Sequence, residues 1–281
     1  GLHHSRAYSK LALLLDAEGK GEEALPYFRL AAAADPRDAN HAFNLGHHLE
    51  ERGEHDEAAT HYKKAIKIDM EHGPALSNYA NLLWSHFQDK DNAAKFHQRA
   101  VRAHPNDPDV YYNYALFLEE VAQKYDWAKD MLDRAVSKKP TDPAIYLAAA
   151  QFYLKRRRDF QKCMELHKAA LRCDADHIPS LLSYARFLEF DRRDYKNAAV
   201  FYQRAVHING ADAADEAEAL GEAARFSADR TGNLELAEEG FKRAIHRSSG
   251  KSQQDAQKRA TTEATDEEPW PEGIPNANPA T

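Results

Sequence analysis

The sequence predicts an all-α protein, a right-handed α-α superhelical solenoid of about seven stacked helix pairs. Three observations predict it. An alanine returns every 34 or 35 residues along most of the chain. Within each period the apolar residues fall at helical spacing. Glycine and proline number only 12 each in 281 residues, and alanine is abundant, which favours helix over strand.

The alanine series is Ala31, Ala65, Ala100, Ala135, Ala170, Ala205 and Ala244, with steps of 34, 35, 35, 35, 35 and 39 residues. Other positions keep the same register. Seven residues earlier stand Ala24, Ala58, Ala93, Ala128, Cys163, Ala198 and Ala237. Three residues earlier stand Phe28, Tyr62, His97, Leu132, His167, Tyr202 and Phe241. Small residues spaced around one bulky ring read as the buried face of a second helix, H2, in each period.

The first helix, H1, is read from quartets at offsets 0, 3, 4 and 7. They are Tyr8-Leu11-Ala12-Leu15, Leu76-Tyr79-Ala80-Leu83, Tyr111-Tyr114-Ala115-Leu118 and Leu181-Tyr184-Ala185-Leu188. Those offsets define one helical face. Polar breaks at 18–21, 52–54, 88–91 and 192–194 mark the turn from H1 to H2. Pro36, Pro105 and Pro140 stop the second helix and help open the next first helix. The units fall at about 5–38, 39–72, 73–107, 108–142, 143–177, 178–212 and 217–250. The last is the weakest match. The residues at 251–281 are polar and proline-rich around Trp270, and predict a tail that is disordered or docked as an extended segment.

The skeleton resembles the tetratricopeptide repeat, whose pattern W-x2-L-G-x2-Y…A-x3-F…P it matches over roughly 5–250. The closest unit has Asn44-Leu45-Gly46, Leu49, Ala58, Tyr62 and Ala65. Four units are one residue longer, and the turn between helices is the place to absorb it. The half-a-tetratricopeptide type of RNA-processing scaffolds puts its bulky aromatics elsewhere and fits less well. The resemblance implies that first helices line a concave groove.

Composition narrows function. A net charge of −7 gives no global attraction for nucleic acid or an anionic membrane. The apolar runs are too short for a bilayer span. Cys163 and Cys173 make no disulfide framework, so a reducing, cytoplasmic setting is expected. Fifteen histidines are scattered without zinc-type pairing with cysteine, so no metal and no cofactor is expected. His97 and His167 take the aromatic place of their helices and should be packing residues. No phosphate loop or nucleophile elbow is present, and no enzyme is expected.

The expected function is a protein-protein interaction scaffold or adaptor that takes a partner segment in the groove. Asn44, Asn78 and Asn113 recur at one register of three consecutive first helices. An asparagine amide both donates and accepts, so it can bridge an extended peptide backbone without reading its sequence. His47, Asn81 and Trp84 are expected in the same groove. A chaperone-type carboxylate clamp lacks its basic residues here. Lys155, Arg156, Arg157, Arg158, Arg192 and Arg193 fall in inter-helix turns and predict a basic edge. Two alternatives follow: a structural subunit of a large assembly without a peptide groove, or an RNA-associated repeat protein using that edge. The expected partner is an unidentified protein or peptide, with no membrane, nucleic acid disfavoured and self-association open.

Overall fold

The repeat register becomes helix pairs wherever the chain is described. The computed structural model describes residues 2–208 and 212–248. The tail at 251–281, with Trp270, lies outside the described residues, as does the end of the seventh repeat. The described residues hold helices and turns and no strand. The chain divides into two units, Gly1–Cys173 and Asp174–Thr281, described separately below.

The first unit contains α1 (Leu2–Ala17), α2 (Gly21–Ala34), α3 (Ala39–Glu51), α4 (His55–Ile68) and α5 (Gly73–Ser85). It continues with α6 (Lys90–Ala103), α7 (Pro108–Glu120), α8 (Tyr125–Ser137), α9 (Pro143–Phe152) and α10 (Phe160–Cys173). Each odd helix packs most extensively on the even helix after it, and α2, α4, α6 and α8 each lean on the helix that follows. The first helices also touch in sequence, α3 to α5, α5 to α7 and α7 to α9. The second unit repeats the plan with α11 (Ile178–Arg186), α12 (Tyr195–Val206), α13 (Ala213–Phe226) and a helix over 234–248, α14.

Small residues allow the pairs to approach closely. Ala12, Ala80, Ala115, Ala150, Ala185 and Ala224 on first helices are buried, as are Ala24, Ala58, Ala93, Ala128, Cys163, Ala198 and Ala237 on second helices. Gly46 holds the first-helix place in the second repeat. A Cβ there would lie 3.0 Å from Tyr62 Cδ1, so the fully buried Tyr62 ring takes the space that an alanine fills elsewhere. His97 and His167 are buried at the aromatic place, as expected. The comb fails at its margins: Phe241, expected as the buried ring of the last second helix, is exposed. Leu11 of the first quartet is exposed, along with Leu13 and Leu14, because the extensive packing of α1 is on α2.

The one-residue difference in repeat length resides at the end of the first helix. In the first two units, of 34 residues each, the first helix stops at a left-handed glycine, Gly19 or Gly53, and the backbone N–H three residues past the helix end bonds five residues back (Lys20 to Leu15, Glu54 to Leu49). In the 35-residue units the closing bond reaches six residues back: Asp89 to Leu83, Lys124 to Leu118, Asp159 to Tyr153 and Asp194 to Leu188. The left-handed residues there are Gln88, Gln123, Arg158 and Arg193. After α9, α11 and α13 the widened turn is a π-helical segment, at Tyr153–Arg157, Phe187–Asp191 and Ser227–Thr231. The extra residue thus bulges out without displacing the next helix, so the buried seam stays in register.

Aspartates open several first helices. The side chains of Asp38, Asp107, Asp142 and Asp212 accept from backbone N–H groups at the helix starts, with proline next at Pro108 and Pro143. In the first unit this places Asp38, Asp107 and Asp142 at the starts of first helices.

A candidate peptide groove on the first helices

The starts of α7 and α9 and the flank of α5 enclose a cavity of about 300 Å³ within the first unit. Pro74, Ser77 and Asn78 come from α5, Asp109, Val110, Tyr112 and Asn113 from α7, and Asp107 and Asp142 from the two caps. Two of the three predicted ladder asparagines therefore share one wall. Neither is idle. Asn113 Nδ2 donates to Ser77 Oγ at 3.0 Å, and Asn78 reaches the Tyr62 hydroxyl. That hydroxyl in turn donates to Glu50 Oε2. Each amide keeps further capacity, since an asparagine side chain has two donor hydrogens and two acceptor lone pairs.

The aspartates give the cavity its charge. Burial raises the Asp109 carboxyl above the usual range, and the charges of Asp107 and Asp142 push it the same way. Burial, followed by Asp142, raises the Tyr112 phenol. Among the described residues no lysine or arginine pairs with Asp107, Asp109 or Asp142. A cationic group entering here would relieve repulsion between carboxylates and meet acceptors on two sides.

The remaining predicted residues lie elsewhere. Asn44 is half-buried on α3, and His47 is exposed there with Nδ1 3.6 Å from Glu51 Oε2. Asn81 and Trp84 are half-buried on α5, and the Trp84 indole N–H has no hydrogen-bond partner. None of these four lines the cavity. Ser77, Tyr112 and the three aspartates were not anticipated. The usable signal was the pair of Asp-Pro steps, Asp107-Pro108 and Asp142-Pro143, one 35-residue period apart.

The basic residues of the first unit are partly neutralised. Arg156 Nε lies 2.8 Å from Glu119 Oε1, with its guanidinium 4.4 Å from the Tyr125 ring centre. Arg157 pairs with Asp126, and Arg158 lies over the Phe160 ring. Lys155 is exposed on the same π turn. Arg192 and Arg193 are exposed just after the second unit's first π turn.

A tetratricopeptide-repeat family model matches residues 9–73, which contain the best-formed period. Those residues match the tetratricopeptide repeat. The chain's solved structural neighbours include PilF of Pseudomonas aeruginosa, at 21% identity and a TM-score of 0.61, covering 81% of this chain and 98% of that one. The type IV pilus biogenesis factor PilW matches at 14% identity and a TM-score of 0.59, over 72% of this chain and 92% of that one. A monomeric IFIT1 mutant solved with m7Gppp-AAAA matches at 17% identity and a TM-score of 0.59, over 88% of this chain and 68% of that one. At such identities the likeness is one of fold. No curated protein matches the sequence significantly. The tetratricopeptide repeat supports an interaction scaffold in general, and no described helix is long and apolar enough to cross a membrane.

Proposed function

We propose that this protein is a scaffold that grips an extended partner segment along the first-helix face of its N-terminal unit. The observation that carries the reading is the shared cavity of Asn78 and Asn113, flanked by Asp107, Asp109 and Asp142 without basic partners. The asparagines engage the backbone of the segment. The aspartates favour a segment that places a lysine or arginine there. Asn44 extends the grip toward the second repeat, and His47, Asn81 and Trp84 supply side contacts beyond the cavity. Recognition of this kind needs no catalytic group, cofactor or membrane contact, and suits a cytoplasmic adaptor.

The test is direct binding. Extended lysine-bearing peptides selected against the protein are measured by fluorescence anisotropy with wild type and with an Asn44/Asn78/Asn113→Ala triple variant. Affinity is expected to fall at least about tenfold in the triple variant, as expected when several backbone hydrogen bonds are lost from a groove. Unchanged affinity would remove the groove and favour a structural subunit held by other faces. The RNA reading requires a different result: RNA binding that weakens steeply with salt and disappears on neutralising Arg156–Arg158. The pairing of Arg156 and Arg157 with Glu119 and Asp126 weighs against it.

A further inference from the structure

One cluster lies outside the groove and joins the first two repeats. Asp16 is the penultimate residue of α1, and His48 and Glu51 lie on the last turn of α3. One ligand-type atom from each of the three lies within 4.8 Å of the other two. His48 and Glu51 are three residues apart, so both project from one helical face.

His48 is out of place as a packing residue. The same register holds Leu82, Phe117, Phe152, Phe187 and Phe226 in the later repeats, and all five are buried. His48 is buried too, at 3% exposure, beside Phe28. Yet neither of its ring nitrogens makes a hydrogen bond. Nδ1 lies only 3.0 Å from Asp16 Oδ1, so the distance suits a hydrogen bond and the direction does not. Two ligands of one tetrahedral ion show that arrangement. Each donor atom points at the metal about 2.0–2.2 Å away, and the two donors stand roughly 3.3 Å apart without facing each other.

The charge around the cluster favours a cation. Among the described residues neither Asp16 nor Glu51 has a lysine or arginine partner. The C-terminal ends of α1 and α3 both add negative dipole. The N-terminus of α2 approaches at Gly21, but Glu23 in its first turn offsets that positive end, while Glu22 is paired with Arg52. Asp16 is partly open and Glu51 exposed, so an ion can enter and Glu51 can swing in. We infer that Asp16, His48 and Glu51 form a binding site for a divalent transition-metal ion of the zinc class, which clamps the first repeat to the second. Three protein ligands leave a fourth position to water.

The test is titration of chelator-treated full chain with Zn²⁺ alone, read by competition with a chromogenic indicator and by thermal melting. Wild type is expected to bind one equivalent tightly and to melt several degrees higher when loaded. His48→Phe restores the residue type of the later repeats, so the fold persists. Asp16→Asn and Glu51→Gln keep shape and remove charge. Each of the three is expected to weaken the tight equivalent at least about tenfold and to lose the melting shift. Other histidines of the chain can take Zn²⁺ weakly, so the variants decide the matter. Absence of a stoichiometric tight equivalent would overturn the site. So would tight binding that survives either carboxylate substitution in a protein whose metal-free melting is unchanged.

Discussion

The two units use the same helix pairs and treat their polar residues in opposite ways. In the second unit Glu189 is fully buried, yet three groups hold it. Arg225 and Arg230 approach its oxygens at 2.7 and 2.8 Å, and the Tyr202 hydroxyl donates at 2.9 Å. Burial pushes that carboxyl up, but the bonds from Arg225, Arg230 and Tyr202 hold it below the usual range. Arg186 likewise pairs with Glu218 and Glu222. In the first unit, Asp107, Asp109 and Asp142 line an open cavity with no cation. A polar group that is satisfied internally adds stability and has little left to offer a partner. One left short is available for binding, at some cost in stability.

That contrast can be broken or sharpened by substitution, beginning with the largest effect. Removing the acid from the second unit by Glu189→Ala should destabilise it by about 3 kcal/mol in denaturant unfolding. This sits at the low end for a broken buried pair, because both arginines keep access to water. A change below about 1 kcal/mol would mean that the network does not hold the second unit together.

His97 is one of the first unit's unsatisfied groups. It is fully buried between Tyr114 and Phe117, neither ring nitrogen has a partner, and burial lowers it to about 3. His97→Phe should raise stability at pH 7.5 by about 1–2 kcal/mol. The sign of the pH effect follows from the lowered value. Between pH 6.5 and about 3 the unfolded chain binds a proton that the folded chain refuses, so the wild type loses stability as pH falls there. At pH 5 the advantage of the phenylalanine variant should therefore grow by about 2 kcal/mol. A pH-independent difference between the two proteins would contradict this account.

Smaller effects test the turns and the cavity. Gln123→Gly places glycine at a left-handed residue and should stabilise by about 0.5–1 kcal/mol, while Gly53→Ala should cost about 1 kcal/mol, both measured by thermal melting. Asp109→Asn should add about a few tenths of a kcal/mol at neutral pH while weakening the lysine-bearing peptide. Because the Asp109 value is raised, its repulsion is present above that value and absent at acid pH. The stability gain should fade as pH drops toward 4, and a gain that persists there would exclude charge as its cause.

Much of the core was legible from the chain alone. The alanine comb and the aromatic place at Phe28, Tyr62, His97 and Tyr202 each identified buried positions, because burial repeats with the helical period and needs only local spacing. The polar sites were only half legible. Asn78 and Asn113 were visible as a register, but not that Ser77 and Tyr62 already engage them. His48 and Glu51 carried a readable three-residue spacing, whereas Asp16 sits 32 residues before His48 in the sequence and nothing there points to it.

By itself, then, the sequence determined the helix pairs, their period and the small-residue seam. Only the tertiary structure decided which polar side chains meet. A seam is set by one residue type recurring at a fixed interval, so a linear pattern encodes it. A polar site is set by directions and distances of an ångström or less between side chains on separate helices, and those exist only once the pairs have stacked.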